Sequence, residues 1–158
     1  MLILASASPR RRALLRRICP EFSVEASDVD EALAAGPVPP AVAALALRKA
    51  RAMLRRLRGR AHDVFTGVAV VDAATGREAS GTARSRVLMA SYPDATIDAY
   101  VASGAPLDKA GAYAIQDLGG HLVDGLVGSY TNVMGLPLGV TRRLLAGFGV
   151  PVSGAPAP

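Results

Sequence analysis

The segment LILASASPRRR, residues 2–12, constrains the fold of this chain more than any other part of the sequence. Its apolar start, Leu2 to Ala5, predicts a short buried strand. Ser8 followed by Pro9 is typical of a helix N-terminus, because a hydroxyl caps the helix and proline suits its first position. A strand that turns directly into a capped helix leaves several backbone N–H groups aimed at one place. The helix dipole favours an anion there.

Polar side chains in the same segment suit a phosphate. Ser6 and Ser8 add hydroxyls, and Arg10 and Arg11 add guanidinium forks that match phosphate oxygens. Basic residues in the first helical turn oppose the helix dipole, and an anionic ligand would relieve that local cost. The alternative is an ordinary capped helix with a basic first turn. These residues by themselves leave both interpretations open.

The rest of the sequence alternates predicted strands and helices. Turn and capping residues bound a second strand at 22–26, a helix at 40–57, strands at 64–72 and 82–90, a helix at 93–101, a strand at 121–127 and a helix at 137–145. This alternation predicts the α/β class. With 158 residues, of which 51% are apolar, we expect one domain over residues 1–151 and a disordered tail at 152–158.

Charge and composition narrow the classes of partner. A net charge of +5 favours polyanions, and the excess comes mostly from clustered arginines. Only 4% of residues are aromatic, with no Trp, so a stacking surface for nucleic acid is poorly supported, although a basic nucleic-acid-binding protein remains a third hypothesis. The sequence has no apolar run long enough to predict a membrane span. Cys19 is the single cysteine, so an internal disulfide is excluded and a cytoplasmic location is expected.

Two further regions carry polar residues in patterns that suit a ligand. The acidic run Ser27 to Glu31 could hold a divalent metal on a triphosphate, or it could be a solvated loop that precedes a helix. Glycines stand beside polar residues in Ser103 to Gln116 and in Gly128 to Pro137. Such glycines indicate backbone packed against a ligand, or equally well a set of tight turns.

Taken together, the motifs resemble those of one family. Six segments occur in the family's order: ILASASPRRR, SDVDE, LALRKARA, GRAHDVFTGVAV, YVASGAPLDKAGAYAIQ and GSYTNVMGLPL. They resemble the Maf family of metal-dependent nucleoside triphosphate pyrophosphatases, which release monophosphate and pyrophosphate. The resemblance implies a mixed, twisted sheet flanked by helices, like that of the inosine triphosphatases, with a nucleotide cleft. The residues of the last two segments are similar to those of the family branch that acts on dTTP and UTP.

The resemblance also implies roles for individual residues. Ser6, Ser8, Arg10 and Arg11 would bind the substrate phosphates, and Gln116 would lie in the nucleotide pocket. Glu31 and Lys49 would lie at the reacting end, with Glu31 holding a divalent cation, Mg²⁺ or Mn²⁺. The partner is then a nucleoside triphosphate, with no membrane and no nucleic acid, and a homodimer is one candidate assembly.

One departure from the family pattern bears on activity. The family carries an Ala-Asp-Thr strand and a Gly-Lys-Pro turn after the LALRKARA motif, and neither tripeptide occurs in these 158 residues. Here Arg51 runs directly into Ala52, as if the start of one family helix were fused to the end of the next. In the family, the missing aspartate is the general base or the carboxylate that orients the attacking water. Its loss predicts impaired hydrolysis, or a nucleotide-binding module without catalysis, and the lost strand predicts an unpaired sheet edge or a closed-up register. Arg58 and Asp117 also stand where serine and glycine are usual.

Overall fold

A computed structural model describes residues 2–6, 8–25, 40–105, 110–116 and 118–153. Strands and helices alternate along the chain, which confirms the predicted α/β class. In chain order the elements are β1 (Ile3–Leu4), α1 (Pro9–Arg16), β2 (Ser23–Val24), α2 (Pro40–Leu57), β3 (Ala61–Val71), β4 (Glu78–Met89), α3 (Asp94–Ala102), β5 (Val123–Val127), α4 (Tyr130–Val133) and α5 (Leu138–Gly147). Short 3₁₀ turns occupy Ala110–Ala112 and Leu118–Leu122.

The chain divides into two compact units. The first comprises Met1–Val29, Val64–Ser85 and Gly128–Pro158, and the second comprises Asp30–Asp63 and Arg86–Val127. Each unit is therefore built from separate stretches of sequence. The expectation of one domain over residues 1–151 stays a prediction.

The core of the first unit lies around α1 and α5. Leu14 and Leu15 of α1 are buried against Leu136 and Leu145, and side chains of β1 and β3 pack on the same cluster. Fully burying a leucine of this kind contributes about 1.5–3 kcal/mol. The chain end joins this unit, because Val152 packs on the cluster and the following N–H, of residue 153, donates to the Ile18 carbonyl at 2.7 Å. The remainder of the predicted tail, 154–158, lies outside the described residues.

The second unit is organised by α2, which runs unbroken through the join at residues 51 and 52. Leu54, just after the join, is fully buried and its carbonyl accepts a hydrogen bond from the Tyr92 hydroxyl at 2.9 Å. Arg58, the residue that departs from the family pattern, donates to the Asp94 carboxylate at 2.7 Å and to the Tyr92 carbonyl at 3.1 Å. Arg51 pairs with Asp98 at 2.8 Å and Arg55 pairs with Asp94 at 3.0 Å, so ion pairs connect α2 to α3 at the join and after it.

The strands form two separate sheets. In one, β1 and β2 are parallel, with Ile3 opposite Ser23; in the other the order is β3–β4–β5, with β4 and β5 antiparallel. Within the described parts of the chain, β1 pairs with β2 alone and β3 with β4 alone, so each presents one unpaired edge. Every open sheet has two edges, so the expectation of an unpaired edge or a closed-up register stays a prediction.

We found no helix in the described ranges that is both long enough and apolar enough to cross a bilayer.

Candidate phosphate-binding site

The turn between β1 and α1 is held by a small hydrogen-bonded group. The Ser8 hydroxyl caps α1 by accepting from the backbone N–H of Arg11 at 3.4 Å, and Pro9 occupies the first helical position. The Ser6 hydroxyl accepts from the N–H of Ser8 at 3.3 Å and from Nη1 of Arg11 at 3.2 Å. The predicted residues Ser6, Ser8 and Arg11 are thus brought together at one helix N-terminus.

Arg11 also links this turn to a second loop of the first unit. Its Nε donates to the carbonyl of Gly135 at 3.0 Å. Gly135 has φ of +107°, a conformation that residues with a side chain rarely adopt, so glycine is required for the carbonyl to face the guanidinium. A guanidinium has five N–H donors, and these contacts engage two of its nitrogens, which leaves donor capacity for an anion. Arg10 lies half-buried in the same helical turn.

The first turn of α1 contains no acidic residue. The backbone N–H groups at a helix start carry partial positive charge, and Arg10 and Arg11 add full charges at the same end. This concentration of positive charge lowers helix stability unless an anion neutralises it. A phosphate at this helix start stays a prediction.

Asn132 organises the second loop and was not predicted from sequence. Its side chain is fully buried, and Nδ2 donates to the Ser85 hydroxyl at 2.9 Å and to the Val64 carbonyl at 3.0 Å. Its backbone carbonyl accepts from the Thr66 hydroxyl at 3.1 Å. Ser85 in turn donates to the Ser129 carbonyl and accepts from its N–H, both at 3.0 Å. The Nδ2 amide is paired in this way, whereas Oδ1 is buried without a partner among the described residues. The bonds of Nδ2 and Ser85 hold the loop that carries Gly135.

Gln116, the predicted nucleotide-pocket residue, belongs to the second unit and is half-buried. The backbone just before it is anchored twice: the Tyr113 hydroxyl lies 2.9 Å from Nε2 of His62, and the N–H of Ala114 donates to the Tyr100 hydroxyl at 3.3 Å. A side chain at Gly119 would come within 2.5 Å of the Ala114 carbonyl, so this glycine is needed for close packing.

Burial changes the proton affinities of the pair that anchors this segment. It raises the pKa of Tyr113 to about 12, so the hydroxyl stays protonated at neutral pH. Burial also lowers the pKa of His62 below its ordinary 6.5, an effect partly offset by the neighbouring carboxylate of Asp63. Neutral His62 and protonated Tyr113 are therefore the forms that meet at neutral pH, and neither adds a charge beside Gln116.

Two predicted site residues remain, Lys49 and Glu31. Lys49 lies on an exposed position of α2 in the second unit. Glu31, the predicted metal ligand, lies outside the described residues, as do Asp28, Asp30 and Asp117. In the ranges that the structure does describe, no cluster of three or more His, Cys, Asp or Glu could hold a metal ion.

Sequence comparison finds the family that the motifs resemble, and the match to that family is interrupted where the motifs are. The sequence model of the family described as Maf-like protein matches residues 1–52 and 47–148, two stretches that meet within α2. The chain is similar to proteins named dTTP/UTP pyrophosphatase from Moorella thermoacetica, with 44% identity covering 97% of each chain, and from Myxococcus xanthus, with 42% identity covering 96% of this chain and 94% of the relative. A third, from Salinibacter ruber, is 42% identical over 90% of this chain and 87% of its own length.

The lengths of these alignments locate the difference between the chain and its relatives. The alignment with the Moorella thermoacetica protein extends over 190 positions, whereas this chain has 158 residues, so at least 32 positions of the relative (190 − 158) have no counterpart here. Because both chains are covered almost to their ends, the unmatched positions are internal. The meeting point of the two family matches, at residues 47–52, indicates where they fall.

Proposed function

The chain belongs to the Maf-like protein family, and on that premise we propose that it is a nucleoside triphosphate pyrophosphatase that converts dTTP or UTP to monophosphate and pyrophosphate. The names of its relatives support this substrate pair. The observation that carries the proposal is the group formed by Ser6, Ser8 and Arg11 at the start of α1, which gathers hydroxyl, backbone and guanidinium donors at one point.

In this proposal, the start of α1 binds the triphosphate. Arg10 and Arg11 make charge-assisted hydrogen bonds to phosphate oxygens, which are about twice as strong as neutral ones. The Ser6 hydroxyl orients Arg11 from one side and the Gly135 carbonyl orients it from another. The guanidinium is thus positioned before the substrate arrives, so little side-chain entropy remains to be lost on binding.

The base would be recognised by Gln116, the residue that the family resemblance assigns to the nucleotide pocket. A glutamine side chain can both donate and accept, as the edge of thymine or uracil requires. The hydrogen bonds of Tyr113 and Ala114 hold the backbone that leads to it, so the amide is presented from a fixed segment. We propose that this segment sets the preference for the base.

The proposed divalent cation would be bound by Glu31, with the neighbouring carboxylates of Asp28 and Asp30. Carboxylate oxygens are the ligands that Mg²⁺ and Mn²⁺ prefer, so the chemistry of this donor set fits the ion. Such a cation supplies charge neutralisation to the phosphates when bound. We propose that Lys49 adds positive charge near the same phosphates. The cytoplasmic location and the homodimer stay predictions.

The rate of hydrolysis should be low compared with that of complete family members. Water must attack the α-phosphorus while the bond to the bridging oxygen breaks and pyrophosphate leaves, and the proton of that water needs an acceptor. The family's aspartate would be that acceptor, and its segment is absent here. Loss of a positioned base costs about 10²- to 10⁴-fold in rate, whereas the binding groups of α1 are retained.

The same absence supports one alternative, a nucleotide-binding module without turnover. Calorimetry with dTTP and UTP in the presence of Mg²⁺, followed by a pyrophosphate-release assay on the same samples, separates the two. Binding with slow release that depends on protein concentration supports the enzyme, and binding without release supports the module. An absence of both binding heat and thermal shift at millimolar nucleotide would refute both.

A further inference from the structure

One edge of the β1 backbone faces away from its partner strand β2. The carbonyls of Leu2 and Leu4 accept hydrogen bonds of 3.0 and 3.1 Å from N–H groups of the β2 segment. Successive residues of a strand direct their N–H and C=O groups to opposite edges. The backbone groups of Ile3 and Ala5 therefore point to the edge opposite β2.

The backbone of β3 behaves in the same way. At the hairpin turn, the N–H of Asp72 donates to the carbonyl of Arg77, at the start of the β4 side, at 2.8 Å. Side-chain burial then alternates without interruption along the whole of β3, so the strand keeps one register. Asp72 and every second residue before it turn their backbone groups towards β4, so the residues between them, including Gly67, Ala69 and Val71, turn theirs away.

These two edges line the same cavity. An open cavity of about 1150 Å³ in the first unit is bordered by residues 2–5 along β1 and by 67–71 along β3. Its other walls come from α1, from α5 and from the segments that follow them. They include apolar Leu15, Leu145 and Phe148, and also Ser6, Arg11 and Gly135 of the candidate phosphate-binding site. The side chains of Ile3 and Val71 beside it are 42% and 60% exposed.

An unpaired strand edge is a template for another strand, and here two such edges share one cavity. An extended segment is the only backbone form that presents N–H and C=O groups to both of its sides at strand spacing. The relatives possess at least 32 internal positions that this chain lacks, and the matches to the family break within α2.

We propose that this cavity is a strand-binding site, and that its occupant is an extended segment with the sequence character of the residues that this chain lacks, supplied by a separate polypeptide. The segment pairs with β1 on one side and with β3 on the other, joining the β1–β2 pair to the β3–β4–β5 sheet. Side chains of the segment that face Leu15 and Leu145 are apolar, since that part of the wall is apolar. The site rests on the family assignment and on the edges, and it does not require the proposed hydrolysis.

The test uses a synthetic peptide that copies the internal residues of the Moorella thermoacetica relative without counterpart here. Amide hydrogen exchange of the ¹⁵N-labelled full chain is followed by NMR, without nucleotide, with and without the peptide. We expect exchange to slow by roughly tenfold or more at the edge amides of Ile3, Ala5, Gly67, Ala69 and Val71, because pairing protects them. A scrambled peptide of the same composition serves as the control.

A pair of variants at one position tests the pairing itself. Ala69→Pro removes an N–H that points into the cavity without removing a bond to β4, whereas Ala69→Val keeps that N–H. Peptide binding, measured by fluorescence anisotropy, should be lost or weakened at least tenfold in the proline variant and retained in the valine variant. Circular dichroism establishes whether both variants are folded. If Ala69→Pro is unfolded, the exchange measurement on the unaltered chain tests the proposal by itself.

Three outcomes would overturn the proposal. The first is unchanged exchange at the edge amides with the peptide at millimolar concentration. The second is equal protection by the scrambled peptide. The third is protection in the protein alone that rises with its concentration, which would show a second copy in the cavity. Because no nucleotide is present, a failure of dTTP or UTP turnover leaves this result unaffected.

Discussion

Replacement of Arg11 by alanine is the sharpest test of where the triphosphate binds. The guanidinium is exposed, yet it is held by Ser6 at 3.2 Å and by the Gly135 carbonyl at 3.0 Å. A hydrogen bond to a charged group contributes about 1.5–3 kcal/mol, and about 1.4 kcal/mol corresponds to a tenfold change in affinity. Arg11→Ala should therefore raise the Kd for dTTP by about 10-fold to 150-fold.

Arg16→Ala supplies the matched control on the same helix. Arg16 is exposed in the last turn of α1, away from the capped end, so its removal should change the Kd less than about twofold. Isothermal titration calorimetry with dTTP and Mg²⁺ measures both variants. Thermal melting without ligand measures how far loss of the Gly135 contact lowers stability by itself. Arg11→Lys retains the charge but not the planar fork, and its Kd should lie between those of wild type and alanine.

The contrast between nucleotides makes the test specific to phosphate. The loss on Arg11→Ala should be larger for dTTP than for dTMP, because the triphosphate offers more charged oxygens to the site. Equal losses for Arg11→Ala and Arg16→Ala, or equal losses for the two nucleotides, would refute the placement of the phosphates at the start of α1.

Three further predictions follow from the contacts described above. Insertion of the corresponding internal residues of a complete relative between Arg51 and Ala52 should raise pyrophosphate release from dTTP by at least about 10²-fold, and a rate as high in the unaltered chain would show that another group serves as base. Asn132→Ala should lower the free energy of unfolding by about 2–4 kcal/mol in urea denaturation, because two bonds donated by Nδ2 are lost inside the protein; a loss below about 0.5 kcal/mol would contradict the role of the network. Because burial lowers the pKa of His62, the unfolded chain protonates this histidine at a higher pH than the folded chain does, so the free energy of unfolding should decrease as pH falls from 6.5 through the lowered folded pKa. His62→Gln should remove this pH dependence, with His121→Gln as the control. An unchanged pH dependence would refute the cause.

The predictions from sequence were most accurate for features that depend on residues close together in the chain. Helix α2 begins at Pro40 and ends at Leu57 as expected, and the cap at Ser8 is present, because capping and apolar periodicity act within a few residues. Strand ends were less accurate: β3 was expected at 64–72 and spans Ala61–Val71, since pairing with β4 decides where a strand ends. The single-turn helix α4 was missed, because bonds from distant parts of the chain hold it.

The same division applies to the candidate site. Ser6, Ser8 and Arg11 lie within six residues of one another, and their grouping follows from the strand–turn–helix pattern. The bonds of Asn132 to Ser85 and Val64 join residues 47 and 68 positions apart, and one sequence contains no signal for such pairs. The GSYTNV motif indicated that the loop matters, but only the folded chain shows that its asparagine faces inward.

The unbroken path of α2 restricts how this chain can change at its join. Ala50 precedes the join and Leu54 follows it, and both are buried on one side of the helix because they are four residues apart. Each added or removed residue would rotate everything downstream by about 100° and carry Leu54 towards solvent. A change of length between Arg51 and Ala52 should therefore add or remove whole helical turns, or insert a segment long enough to form its own loop and secondary structure. Deletions in α2 at this point are therefore limited in evolution to the few lengths that keep Leu54 buried.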